Sequence, residues 1–255
     1  NNIAGASAIV IDTTAPTVTS FTTTQTSPTS STSFSFTLTF SEAVTGVSDA
    51  DFVNTGSATC TFDPGTDTPA TTRTVTATCS TTGTVAPRFA VNQASDAASN
   101  TGPATPATSA VTITINNAPV LPTPATATFT DTAGVDSFAV VSGDLGATDA
   151  DTGDVLTYSI ASGTDGGTTV TRTGTYGTLT VTKSTGAYTY TPNSTAISAR
   201  STDTTETHTV TVTDGIQTAT ATFTVSISAV NDLPVIGSVA FNFTDTAAKD
   251  TFAVQ

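Results

Sequence analysis

Between positions 146 and 160 the chain reads GATDADTGDVLTYSI, which crowds Asp149, Asp151 and Asp154 into the first half of the stretch. Like charges this close repel one another, so the spacing asks for a purpose. Asp149 and Asp151 are two apart, and in an extended segment such side chains leave the backbone on the same side. Asp154 follows Gly153, which lets the backbone turn back towards the pair. Hard carboxylate oxygens converging on one point suit a calcium ion, which takes roughly 6–8 oxygen ligands. The loop is no EF-hand: counted from Asp149, the twelfth position is the apolar Ile160, where a bidentate Glu is required. A solvated turn is the plain alternative. Glycosidase-type acid–base chemistry would need two carboxyls in different environments across a sugar cleft. A chain without Trp, whose 4 tyrosines read mostly as core, offers no such cleft. The sole histidine, His208, shares parity with Val210 and Val212 and reads as core. No nucleophile–histidine–acid pattern surrounds it, and one His with two Cys cannot make a zinc ligand set. The chain reads as non-catalytic.

The elements that must position these aspartates are strands. Among 255 residues there are 66 threonines, and nearly every periodic stretch has period 2. Thr, Val, Ile, Phe and Tyr pack well on a pleated, half-buried surface, and no convincing amphipathic helix is visible. The expected class is all-β. Phe34, Phe36, Leu38 and Phe40 alternate with Ser35, Thr37 and Thr39. Leu179/Val181, Tyr188/Tyr190, Val210/Val212 and Phe223/Val225/Ile227 form further inward sets, parted by turn signals such as SGTDGG, STGA and TDG. Hydrophobic-in, threonine-out alternation is what antiparallel sheets with one wet face produce.

Composition narrows the partners. Six basic residues against 20 acidic ones, for a net charge of -14, cannot form a phosphate-neutralising patch, so nucleic acid is excluded as a partner. The same charge disfavours anionic membrane surfaces, and no apolar run is long enough to insert directly into a membrane. Cys60 and Cys79 lie at inward positions of two strands joined by the loop DPGTDTPATTR, so a hairpin brings them face to face as a disulfide. Two buried free thiols are the alternative. A bridge favours an oxidising compartment.

Internal repetition gives the organisation. FTDTAGVDSFAV at 129–140 returns as FTDTAAKDTFAV at 243–254, and NNAPV at 116–120 has a counterpart in NDLPV at 231–235. The start, NNIAGASAIVID, is similar to the stretch ending at residue 116. The expected division is therefore residues 1–11 as the last strand of a preceding domain, 12–116 and 117–230 as two complete β-sandwiches, and 231–255 as the start of a further repeat. Such a chain reads as an excerpt of a longer array. Linkers DTTAPT and NNAPVLPTP carry proline, which stiffens them and prevents continued strand pairing.

ATDADTGDVLTYSI, then TYGTLTVTKSTGAYTYTPN and HTVTVTDGIQTATATFTVSISAVNDLPV, occur in one order across 117–230. In this the segment resembles a VCBS repeat, the cadherin-like module of large bacterial surface proteins. Residues 12–116, through IDTTAPTV, FSEAVTGVSDADF and SDAASNTGPA, resemble bacterial Ig-like domains of the same proteins. The resemblance implies calcium at the domain junctions. Asp149 and Asp151 would be ligands with Asp154 close by, Asp214 beside them, and linker residues Asn116 and Asn117 contributing from the junction. Asn231 and Asp232 would serve the next module. Asn-Asn stands where an acidic linker residue is usual, which removes a charge. Glu42, Asp51 and Asp96 occupy comparable positions in the first module, with Asp12 in its linker.

The expectation is an elongated array of tandem Ig-like and cadherin-like sandwiches, extracellular or on a bacterial cell surface. It would act as a non-catalytic, calcium-stiffened extender of an adhesin, its partners being neighbouring repeats of the same chain. The rival expectation is a subunit of an extracellular filament, sheath or surface layer, built by lateral or strand-exchange self-association.

Overall fold

The computed structural model describes residues 11–231. The strand expected over 1–11 and the repeat expected over 231–255 therefore lie, but for Ile11 and Asn231, outside the described residues, as does Asp232. Two hydrophobic cores, with no shared residue, organise the rest.

The first core fills residues up to Ile115. One sheet runs in the order Val18–Thr22, Ser33–Val44, Ala70–Cys79, Cys60–Asp63, all antiparallel. Facing it are the strands Ala107–Thr108, Pro87–Phe89 and Phe52–Asn54, with the pair Ile113–Ile115 and Gly83–Val85 alongside. Phe34, Phe36, Leu38 and Phe40 are all buried while Ser33, Ser35 and Thr37 are exposed, as the pleat demands. The Phe36 ring meets Phe21 edge-on at 5.9 Å and the Phe40 ring meets Phe89 edge-on at 5.7 Å, while Phe52 packs against Phe21 and Phe89 at 6.2 and 5.1 Å, arrangements that aromatic quadrupoles favour. Cys60 is the register partner of Cys79, and the two are joined as a disulfide. Arg73 shares the inward parity of Val75 and Ala77 and is only 4% exposed. Its guanidinium donates to the carbonyls of Val44 and Thr66 and pairs with Asp67 at 2.8 Å. A buried cation needs such partners.

The second core holds one sheet in the order Ala127–Thr130, Thr218–Ser228, Thr204–Thr213, Thr157–Ile160, whose first pair is parallel. A second sheet runs Val141–Asp144, Ala187–Pro192, Gly177–Thr182, Thr169–Thr173, Thr164–Asp165. Tyr158, Tyr188, Tyr190, Phe129 and Phe223 are buried between them. The all-β expectation missed two short helical turns: a 3-10 turn at Asp49–Asp51 and a helix at Ser194–Ser198, where the Asn193 side chain caps the Ala196 amide. A single turn of helix shows no 3.6-residue periodicity, so only its cap was there to be seen.

His208 is 1% exposed, as its parity indicated, and its Nε2 lies 3.1 Å from Glu206. Glu206 also accepts hydrogen bonds from the Thr175 and Tyr176 amides and from the Tyr190 hydroxyl. That carboxylate is thereby committed to tying the Thr169–Thr182 hairpin to the opposite sheet.

Candidate metal centre

Three segments meet where the second sandwich begins: the end of the strand Ile113–Ile115 with its linker, the loop 149–154, and the turn Asp214–Gln217. The turn forms because Asp214 Oδ1 accepts from the amides of Ile216 and Gln217, each at 2.7 Å, while Gly215 takes a positive φ of 96°. In the loop, Asp149 Oδ1 accepts from the Asp151 amide at 2.9 Å, and Gly153, at φ 101°, swings Asp154 back. One carboxylate oxygen each of Asp149, Asp154 and Asp214 then lie within 4.8 Å of one another.

The carboxylates of this group repel one another. Desolvation, then the charges of Asp149, Asp151 and Asp214, hold the Asp154 carboxyl above its ordinary range. For Asp214, burial pushes upward but is outweighed by the hydrogen bond from Asn116 and those from the turn amides, so its carboxyl lies below. Asp149 Oδ2 is buried and has no hydrogen-bond partner. An oxygen-only donor set with one unsatisfied buried carboxylate oxygen fits a hard cation such as calcium. Asp149, Asp154 and Asp214 are the residues that would hold it.

Asp151 stands apart from the group. Both of its oxygens accept from Asn117, Oδ2 from the backbone amide at 2.6 Å and Oδ1 from the side chain at 2.9 Å. Asn116 donates to Asp214 Oδ2 at 2.8 Å and to Gln217 Oε1 at 3.0 Å. The linker asparagines therefore meet the aspartates through their N–H groups. Gln217, which the motif VTDGIQ contains but spacing gave no reason to single out, completes that contact. Asn231 is exposed.

A second group of the same kind lies at the start of the first sandwich, where Asp12, Glu42 and Asp96 bring one oxygen each within 4.8 Å. Asp96 is buried. Its side-chain bond from Asn100, opposed by burial and helped by the amides of Asn100 and Ala98, holds its carboxyl low. Glu42 is held above its ordinary value by desolvation and then by Asp96 and Asp12. Asp51 is not part of it, its Oδ2 accepting from the amide and hydroxyl of Ser48.

No family model matches the chain, and no curated protein matches it. Among solved structures the fold is similar to a three-Ig fragment of the titin I-band, at 11% identity, TM-score 0.38, covering 86% of this chain and 66% of the fragment. It is also similar to the cadherin domains 1–5 of protocadherin gamma B2, at 12% identity, TM-score 0.34, covering 86% of this chain and 41% of that one. An endo-fucoidan hydrolase of glycoside hydrolase family 107 matches at 16% identity and TM-score 0.28, covering 84% of this chain and 29% of the enzyme. The chain thus spans less than two thirds of the length of several proteins it is similar to. Scores of this size leave the assignment to the sheets themselves: the described residues are all-β and form two β-sandwiches in tandem.

Proposed function

We propose that this chain is a non-catalytic extender segment of a larger extracellular adhesion protein, stiffened by calcium. The observation that carries the reading is the convergence of Asp149, Asp154 and Asp214 at the junction of the two sandwiches. A cation bound there would remove the repulsion among the three carboxylates and fix the 149–154 loop against the 214–217 turn, the surface on which the linker rests. Asp12, Glu42 and Asp96 would do the same for the first sandwich. Extracellular modules of this kind bind calcium at about 0.1–1 mM. At ten times the dissociation constant each site then stabilises by about 1.4 kcal/mol, a small amount that recurs at every junction of a long array.

The Cys60–Cys79 disulfide supports an extracellular setting. All 4 tyrosines belong to the second sandwich, so tyrosine fluorescence reports its unfolding alone. The test is the midpoint of that signal in millimolar calcium and in excess chelator. A rise of several degrees with calcium supports the reading. Equal midpoints would remove calcium from it and leave self-assembly through sheet edges as the better account.

A further inference from the structure

We propose that Asn116 and Asn117 form a latch that joins the two sandwiches without any bound ion. Each asparagine is held by the first sandwich and reaches the second with its side-chain nitrogen. Asn116 is 4% exposed, and its backbone amide donates to the Thr29 carbonyl at 2.8 Å, continuing the contact of the Thr29 amide with Thr114. Its side-chain nitrogen reaches across to Asp214 and Gln217. The Asn117 side-chain oxygen accepts from Thr82 of the first sandwich at 2.7 Å. Its two N–H groups, backbone and side chain, grip both oxygens of Asp151.

The linker then has little left to bend. Val120 is already bonded to the second sandwich, exchanging hydrogen bonds with Thr148 at 2.7 and 3.0 Å. Between the last contact with the first sandwich, at Asn117, and this first backbone pairing with the second there are only Ala118 and Pro119, and proline fixes its own φ. Four donor contacts onto two carboxylates and an amide, on either side of so short a segment, fix the orientation of one sandwich on the other. An aspartate at 117 would set one carboxylate against another and leave the junction dependent on a cation. Asparagine replaces that dependence with charge-assisted hydrogen bonds, which are among the stronger ones. Asp151 is thus the seat of the latch, with a role separate from that of Asp149 and Asp154, whereas Asp214 belongs to both the latch and the acidic group.

The experiment measures the distance between spin labels placed by Val53→Cys and Thr222→Cys, both exposed positions, in the full chain with its disulfide intact and in excess chelator. The latch gives one narrow distance distribution. Asp151→Ala and Asn117→Ala each lose the narrow peak, with tyrosine fluorescence showing the second sandwich still folded. Asp154→Ala, which lies in the acidic group but outside the latch, keeps it. A broad distribution for the unsubstituted labelled chain in chelator, or a narrow one surviving in both Asp151→Ala and Asn117→Ala, would overturn the proposal. The calcium reading is judged separately, by the midpoint shift, and neither result decides the other.

Discussion

Replacing Asp149 with Asn separates the two roles a carboxylate can play at this junction. Asp149 contributes an oxygen within 4.8 Å of one on Asp214. Two unit charges at that distance repel by about 1 kcal/mol in water and about 3.5 kcal/mol at an effective dielectric of about 20. The group is partly exposed, so the lower end applies, about 1 kcal/mol. Asn keeps the Oδ1 acceptor that holds the Asp151 amide, so little else is lost. In chelator, Asp149→Asn should therefore raise the tyrosine-reported midpoint, by about 4 °C for a sandwich of this size. In millimolar calcium the order reverses, because the parent gains about 1.4 kcal/mol at ten times the dissociation constant and the variant gains nothing. The two proteins' midpoints cross between the buffers. A variant that keeps the full calcium response would refute the placement of the cation. One that loses stability in chelator would refute the claim that repulsion dominates the metal-free group.

Four further outcomes are expected, two from the acidic group and two from contacts elsewhere in the sandwiches. Calcium affinity, measured by titration from about pH 7 down to about pH 4, should begin to weaken above the ordinary carboxylate value of about 4, because Asp154 is held high and must ionise to bind. Affinity flat across that range would contradict it. In chelator the sign is opposite: a raised carboxyl contributes stability as pH falls through its folded value, until Asp214, held low, protonates in turn and takes stability away. Cys60→Ser with Cys79→Ser opens a bridge spanning 19 residues and should lower the calorimetric transition of the first sandwich by about 3 kcal/mol in the chain-entropy model, with the tyrosine transition unmoved. Glu206→Gln leaves donors from Thr175, Tyr176 and Tyr190 short of acceptors and should cost about 2 kcal/mol, seen as a lower tyrosine midpoint. An unchanged midpoint would contradict the hub role of Glu206.

The strands were legible because one physical signal, period-2 burial, governs them. The alternation from Phe34 to Phe40 and from Phe223 to Ile227 survives intact in the cores. Parity also located His208, but it could not show what Arg73 finds inside the first core, since Val44, Thr66 and Asp67 reach it only after the sheet has formed. The acidic group was half legible. Gly153 marked the turn that returns Asp154, whereas the spacing of two that paired Asp149 with Asp151 assumed an extended segment. In the folded loop Asp149 caps the Asp151 amide instead, and Asp151 faces the linker. Asp214, 60 residues further along, could be placed only by resemblance, because nothing local ties a turn to a distant loop. The asparagines were expected as oxygen donors to a metal; the N–H bonds they also give to Asp214 and Asp151 depend on contacts that no local spacing reveals.

The central claim is tested most directly by counting calcium. Isothermal titration of the 255-residue chain, compared with the chain carrying Asp149→Asn and Asp214→Asn, should show the parent binding one more calcium than the variant, with a dissociation constant of about 0.1–1 mM. An identical stoichiometry and affinity in both would mean that Asp149, Asp154 and Asp214 hold no ion, and the junction would then rest on its asparagines alone.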